Sequence, residues 1–237
     1  MNNIKQLLFV VFAAVFLGAI HTSPLIAQTA NVQVIHNAAD PAADTVDIYL
    51  DGTRVVDDLA FRTATQFLSV PAGTQIEIDV APGNSSDVSA SIFNLQTTLP
   101  ADENFIAVAN GVRDPSQFDA SVNTPIAFNL DVFAGGALQS SNNTGETSVL
   151  VHHGATDAPT VDVVNDADQS VLVDDISYTE FDDDYLDLTP QDLIINVETG
   201  DNSAVVKSFA APLQSAGLTD SAVTVVASGF LDPSANQ

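Results

Sequence analysis

The chain of 237 residues contains no cysteine, and only five of its residues are lysine or arginine. Without cysteine there is no disulfide bond, no thiolate metal ligand, no cysteine nucleophile and no lipid-modified N-terminal cysteine. The few basic residues stand against 31 acidic ones, so the formal net charge is −26. Nucleic acids and anionic membrane surfaces would repel such a chain, and neither is expected as a partner.

Long apolar runs are also scarce, and the one that is present lies at residues 7–20, LLFVVFAAVFLGAI. It follows a short segment that carries Lys5, and it is shorter than the about 20 residues that span a bilayer. A basic start, an apolar core and a small residue at the cut are typical of a secretory signal peptide. We predict that residues 1–27 are removed by cleavage after Ala27. The exported protein would then be periplasmic, cell-surface or extracellular, without membrane insertion. Cleavage after Ala30 and an uncleaved anchor are the alternatives.

Beyond this run, no stretch combines the 3.6-residue apolar period of an α-helix with capping residues. Apolar and polar residues alternate instead, as in residues 75–80, QIEIDV. Turn signals such as Asp51-Gly52 separate the alternating runs. Many short strands with turns between them predict an all-β fold of antiparallel β-sandwiches, immunoglobulin-like or transthyretin-like.

The pattern occurs twice along the chain. His36 matches His153 at an offset of 117 residues, and FIAVANGVRDP matches VTVVASGFLDP at an offset of 118. A nearly constant offset indicates a duplication, and a period this long indicates two whole domains. We predict a first repeat at residues 28–134, a small and polar linker at 135–148, and a second repeat at 149–237.

The two repeats differ at their ends. After Asp114-Pro115 the first repeat continues through an apolar run at residues 126–133, whereas the sequence stops four residues after the equivalent Asp232-Pro233. We therefore expect a C-terminally truncated second repeat that lacks its last strand or strands. Such a repeat would leave a sheet edge unpaired and would be the less stable half.

These motifs resemble the domain-of-unknown-function family 4397 of exported bacterial proteins. The resemblance rests on VIHNAADPAADTVDIYLDG, DDLAFRTAT and VANGV in the first repeat, and on HHGATDAPTVDVV, LVDDISY and VASGFLDP in the second. It covers nearly the whole chain after the signal. It implies β-sandwich domains, often in tandem, on secreted or surface proteins, and it implies no activity and no catalytic residues.

The residues that recur in both repeats are the candidates for a functional site. They are His36 and His153, Asp40 and Asp157, and Asp47 and Asp162. A histidine near an aspartate can act as a general base or a metal ligand, and aspartate oxygens are suitable for calcium. The same residues also stabilise turns by bonding to the backbone. Neither an EF-hand loop, a Glu-x-x-His pair nor a Gly-x-Ser-x-Gly elbow is present, which favours the turn interpretation.

The sequence therefore favours a non-catalytic cell-surface or secreted module with a structural or interaction role, whose partner would be a protein or a glycan. We predict no enzyme activity, no catalytic residue and no cofactor, with calcium open as a ligand of the six candidates. Two other functions also stay open: a spacer stabilised by divalent cations, and an extracellular hydrolase that uses the His and Asp residues at strand ends. The acidic excess is interpreted as a surface hydrated in salty surroundings.

Overall fold

The computed structural model describes residues 28–118, 125–140, 145–201 and 204–233. In these ranges the chain forms fifteen β-strands and three single turns of 3-10 helix, at Pro41–Ala43, Val88–Ala90 and Pro115–Gln117. No helix within the described ranges has the length and apolar character needed to cross a membrane. The predicted signal peptide and its cleavage site lie outside the described residues.

The first repeat is a sandwich of two four-stranded sheets. Its strands are β1 (Thr29–His36), β2 (Thr45–Leu50), β3 (Thr53–Ala60), β4 (Leu68–Pro71), β5 (Gln75–Pro82), β6 (Phe93–Thr98), β7 (Asn104–Asn110) and β8 (Asn129–Ala134). One sheet has the order β4-β1-β7-β8 and the other the order β3-β2-β5-β6. Because side chains alternate between the two faces of a strand, the inward apolar residues of both sheets meet in one core that includes Val32, Val46, Ile76 and Phe105.

Among the described residues, the second repeat forms the same arrangement with one strand fewer. Its strands are β9 (Thr147–Ala155), β10 (Val161–Asn165), β11 (Val171–Ile176), β12 (Leu186–Leu188), β13 (Asp192–Thr199), β14 (Val205–Pro212) and β15 (Ala222–Gly229). The sheets have the orders β11-β10-β13-β14 and β12-β9-β15. Each strand matches one of β1 to β7 in order, and β8 has no counterpart among the described residues.

The prediction of two tandem all-β sandwiches is confirmed. One detail differs from a purely antiparallel arrangement, because β1 pairs with β7, and β9 with β15, in parallel. Alternation within one strand does not reveal the direction of its neighbour, so the sequence pattern could not show this. Thr147 and Ser148, at the end of the predicted linker, begin β9 and are fully buried.

The two repeats pack against each other through one sheet of each. Ile106 and Val108 on the outer face of β7 share a small apolar core with Leu150 on β9. The rings of Phe133 on β8 and Phe181 in the second repeat extend this core, with their centroids 5.5 Å apart. The second repeat therefore covers the part of the outer face of β7 and β8 that carries these residues.

Candidate functional site

The two recurring histidines are buried and make the same contact. His36 ends β1 and His153 lies in β9, with exposed fractions of 0% and 1%. Nε2 of His36 lies 2.7 Å from the carbonyl oxygen of Ala43, and Nε2 of His153 lies 2.9 Å from that of Pro159. Because a carbonyl oxygen can only accept, Nε2 of each ring carries a proton and donates it. Each histidine thus stabilises the loop that follows its strand by a hydrogen bond to the loop backbone.

Burial keeps these imidazoles neutral. It lowers the pKa of His36 and of His153 below 6.5, and the hydrogen bonds to the backbone, which raise the pKa, do not offset it. Nδ1 of His36 accepts a hydrogen bond from the amide of Ala38, and Nδ1 of His153 has no partner in the described part of the chain. A general base must lie within hydrogen-bond reach of a substrate. Neither Nδ1 is accessible to one.

The backbone around the histidines is hydrogen-bonded alike in the two repeats. The equivalent main-chain hydrogen bonds join His36 to Arg62 and Thr63, and His153 to Thr179 and Glu180. This agreement is what a duplication of the whole domain predicts for the two positions.

Asp40 and Asp157 connect the opening loop of each repeat to the loop that follows its last common strand. The carboxylate of Asp40 accepts a hydrogen bond of 2.8 Å from the amide of Arg113. The carboxylate of Asp157 accepts hydrogen bonds from the amides of Leu231 and Asp232. Both aspartates therefore bind main-chain groups of a distant loop, and Asp40 also accepts a hydrogen bond of 2.8 Å from the nearby amide of Ala42, which is the kind of contact that the turn interpretation expects.

The glycines that precede these loops recur for a conformational reason. Gly111 and Gly229 have φ angles of +82° and +96°, a region that side chains disfavour. A Cβ atom at Gly111 would also lie 2.5 Å from the carbonyl oxygen of Ala127. The recurrence of Gly at this place is explained by the turn that it forms.

Asp47 on β2 and Asp162 on β10 occupy equivalent places, and both are fully buried. One carboxylate oxygen of each accepts a hydrogen bond from a main-chain amide of the neighbouring strand, that of Asp58 at 2.9 Å or that of Asp175 at 2.6 Å. The register of β2 with β3, and that of β10 with β11, is irregular in this region. The hydrogen bond of each aspartate to the neighbouring strand stabilises that irregular pairing.

The second carboxylate oxygen distinguishes the two repeats. Oδ2 of Asp47 accepts hydrogen bonds from Ser85 and, at 3.1 Å, from the guanidinium of Arg54. Burial alone would raise the pKa of Asp47, but the hydrogen bonds from the backbone, Ser85 and Arg54 hold it below 3.8. Oδ2 of Asp162 has no hydrogen-bond partner among the described residues, and Val171 stands where the first repeat has Arg54.

The six candidate residues do not converge on one centre. In each repeat the histidine and the two aspartates bind different main-chain groups, in different loops and strands. Within the described ranges, no group of three or more His, Asp or Glu side chains is arranged to hold a metal ion.

A buried polar cluster between the repeats was not predicted from the sequence. Nε2 of His152 on β9 lies 3.2 Å from Oδ2 of Asp131 on β8, and the Asn110 amide donates to the same oxygen at 3.1 Å. The side-chain amide of Asn37 joins Asn110 to the carbonyl oxygen of Gly154. The doubled histidine at 152 and 153 was a signal, but its partner lies in the other repeat, where spacing gives no indication of contact.

A cleft of about 510 Å³ opens beside this interface. Its lining includes Val132 and Phe133 from the first repeat and, from the second, the acidic residues Asp174, Asp175, Glu180, Asp182 and Asp183. Burial, together with the charges of Asp183 and Asp184, raises the pKa of Asp182 above 3.8. Anionic ligands would be repelled from this cleft.

One family model matches part of this chain. A family model described as Domain of unknown function (DUF4397) matches residues 30–132, which run from β1 into β8. The resemblance inferred from the motifs of the first repeat is thereby confirmed. No curated protein matches the chain.

Proposed function

We propose that this chain, which belongs through residues 30–132 to the DUF4397 family, is an exported, non-catalytic module with a structural or interaction role. The observation that supports this most is that His36, His153, Asp40 and Asp157 are hydrogen-bonded to loops of their own repeats. Buried groups engaged in this way stabilise the fold and are poorly placed to exchange protons with a substrate.

The differences between the repeats support the same proposal. A duplicated catalytic centre would need its acid, base and orienting groups held in one geometry. The repeats keep contacts to the main chain, whereas the ion pair of Arg54 with Asp47 has no equivalent in the second repeat among the described residues. Selection on the fold explains this combination.

The proposed location is the periplasm, the cell surface or the extracellular medium. The apolar run at residues 7–20, followed by the small residue Ala27, supports export. The net charge of −26 favours a protein or glycan partner over nucleic acid or an anionic membrane.

A hydrolysis assay tests the proposal. The chain from residue 28 onward and its His36→Ala and His153→Ala variants are incubated with a panel of polysaccharides and peptides, and their melting temperatures are measured. We expect no hydrolysis by any of the three proteins and a lower melting temperature for both variants. Hydrolysis by the native protein that disappears in the variants, at unchanged melting temperature, would identify a hydrolase instead.

One observation favours a second candidate, a spacer stabilised by a divalent cation. Asp162 pairs across the strands with Glu198, where the first repeat has Ala81 beside Asp47, and both acids are buried. Neither acid has an Arg or Lys partner in the described part of the chain. Buried carboxylates are costly unless a cation or a proton neutralises them.

Melting curves with calcium and with a chelator separate the two candidates. The module should melt at the same temperature in both solutions. A melting temperature that falls in the chelator for the native protein, and less in Asp162→Asn, would favour the spacer.

A further inference from the structure

The first repeat holds an arginine over its buried aspartate. The guanidinium of Arg54 lies 3.1 Å from Oδ2 of Asp47 and 2.8 Å from Oδ1 of Asp57. The side chain of Arg54 is 40% exposed and that of Asp57 is 67% exposed, whereas that of Asp47 is fully buried. The arginine therefore joins an acid at the surface to an acid beneath it, and it neutralises the buried one.

The second repeat keeps both acids of this arrangement and lacks the arginine. Asp162 is the counterpart of Asp47, because both accept a hydrogen bond from a main-chain amide of the neighbouring strand. Asp174 directly precedes the residue that donates this bond, as Asp57 does in the first repeat, and it is exposed as well. Val171 stands in place of the arginine.

A third acid adds to the negative charge of this place. Glu198 lies opposite Asp162, where Ala81 lies opposite Asp47 in the first repeat. Side chains that pair across neighbouring strands lie on the same face of the sheet. Glu198 is 9% exposed and Asp162 is 0% exposed, and Oδ2 of Asp162 has no hydrogen-bond partner among the described residues. We call Asp162, Asp174 and Glu198 the three-acid site.

The basic residues of the described ranges lie elsewhere. Arg54 is held in the first repeat, and Arg62 and Arg113 donate to main-chain carbonyl oxygens of other segments. Lys207 lies opposite Val197, which faces the core of the second repeat, so it is on the other side of the sheet. Buried carboxylates are costly unless a counter-charge neutralises them. The three-acid site therefore favours a cation that another molecule supplies.

We propose that the three-acid site binds an arginine side chain of a partner protein, in the place that Arg54 fills in the first repeat. This inference rests on the proposed function and specifies the chemistry of its partner. A planar guanidinium donates several hydrogen bonds in a fixed fork, so it can bind Asp162 and Asp174 together, as Arg54 binds two acids. Its aliphatic stem lies against Val171, which is 47% exposed.

An arginine is favoured over a metal ion and over a second copy of this chain. Within the described ranges, no three His, Asp or Glu side chains are arranged to hold a metal ion. The equivalent acids of the first repeat bind a guanidinium. A second copy, with its net charge of −26, is repelled, whereas a basic partner is attracted.

Nuclear magnetic resonance of the chain from residue 28 onward tests the proposal. The probe is N-acetyl-arginine amide, and the reporter is the amide of Asp175, which donates to Oδ1 of Asp162. The amide of Asp58 makes the same bond to Asp47 beside a bound arginine and is the internal control. The probe should shift the Asp175 signal saturably and leave the Asp58 signal unchanged. N-acetyl-lysine amide, which has the same charge without the fork, should bind about tenfold more weakly.

Variants that move the arginine between the repeats sharpen the test. Val171→Arg supplies a guanidinium from the chain itself and should abolish the response of Asp175. Val55→Arg adds the same charge on β3 at a similar exposure, 43% against 47%, and should leave that response unchanged. Arg54→Ala removes the arginine from the first repeat, so the Asp58 signal should then respond to the probe.

Melting curves verify that these variants are folded and give a second measure of the site. Val171→Arg should melt at a higher temperature than Val55→Arg, because only the former places a guanidinium beside Asp162. The comparison of these two variants does not depend on Arg54→Ala, which leaves Asp47 without its counter-charge and is expected to be less stable.

Several outcomes would overturn the proposal. These are the absence of a saturable shift of the Asp175 signal, an undiminished response in Val171→Arg, and an equal effect of Val171→Arg and Val55→Arg. A saturable shift of the same signal by calcium, which the arginine probe does not reverse, would assign the site to a divalent cation instead. The hydrolysis assay is independent of all of them, so failure here leaves the non-catalytic proposal standing, and hydrolysis would contradict that proposal without affecting arginine binding.

Discussion

At the scale of single residues, the buried histidines make the stability of the protein depend on pH. The pKa of His36 and of His153 is lower in the folded state than the usual 6.5. The unfolded chain therefore binds more protons below about pH 6.5, and the free energy of unfolding falls as the pH falls from there toward the folded pKa. Each histidine contributes at most about 1.4 kcal/mol per pH unit.

Denaturation in urea at pH 7.5, 6 and 5 measures this effect. The native protein should lose stability between pH 6.5 and 5, and the double variant His36→Gln, His153→Gln should lose less. Asp47 does not contribute in this window, because its pKa lies below 3.8. Equal slopes for the two proteins would contradict the assignment of neutral, buried histidines.

The equivalent aspartates predict unequal effects of the same substitution. Asp47→Asn removes a charged acceptor from Arg54 and Ser85, and we expect a loss of about 1.5–3 kcal/mol. Asp162→Asn should cost less or stabilise the protein, because Oδ2 of Asp162 has no partner in the described part of the chain. Urea denaturation of both variants at pH 7.5 compares them, and a larger loss for Asp162→Asn would refute this account.

At the scale of elements, we expect strands with matching sequence patterns to differ in stability between the two repeats. β7 lies between two strands and is buried along most of its length, whereas β15 has one neighbouring strand among the described residues and is mostly half-buried. Local opening is easier where fewer apolar contacts and hydrogen bonds hold a strand. We expect amide hydrogen exchange to be faster in β14 and β15 than in β6 and β7. Equal protection of β15 and β7 would contradict the expected lower stability of the second repeat.

At the scale of the whole molecule, the two repeats should unfold together. They share the apolar core around Leu150 and the buried contact of His152 with Asp131. Asp131→Ala leaves His152 and Asn110 without their acceptor, and we expect a loss on the order of 3 kcal/mol. Calorimetry should show one transition for the native protein and two for this variant. Asp174→Ala, at an exposed position, is the control and should leave the transition unchanged.

Processing during the proposed export is a second expectation at this scale. Cleavage after Ala27 would leave Gln28 at the N-terminus and remove the apolar run at residues 7–20. N-terminal sequencing and the intact mass of the secreted protein measure this. A mass that includes residues 7–20 would contradict it, and an N-terminus at Asn31 would favour the alternative cut after Ala30.

The sequence by itself determined the fold class and the duplication. Alternation of period two and turns such as Asp51-Gly52 are local signals, and they hold whatever the neighbouring strand is. The local turn bond of Asp40, which accepts a hydrogen bond from the amide of Ala42, follows from the same short-range chemistry.

Only the tertiary structure decided which strands are neighbours and which buried polar groups meet. β1 pairs in parallel with β7, from which it is separated by five strands of the chain. His152 contacts Asp131 because the outer faces of two sheets pack together, and Arg54 reaches Asp47 from a neighbouring strand. The partner of a buried polar group depends on long-range packing, which has no period in the sequence, and the unequal environments of Asp47 and Asp162 arise for this reason.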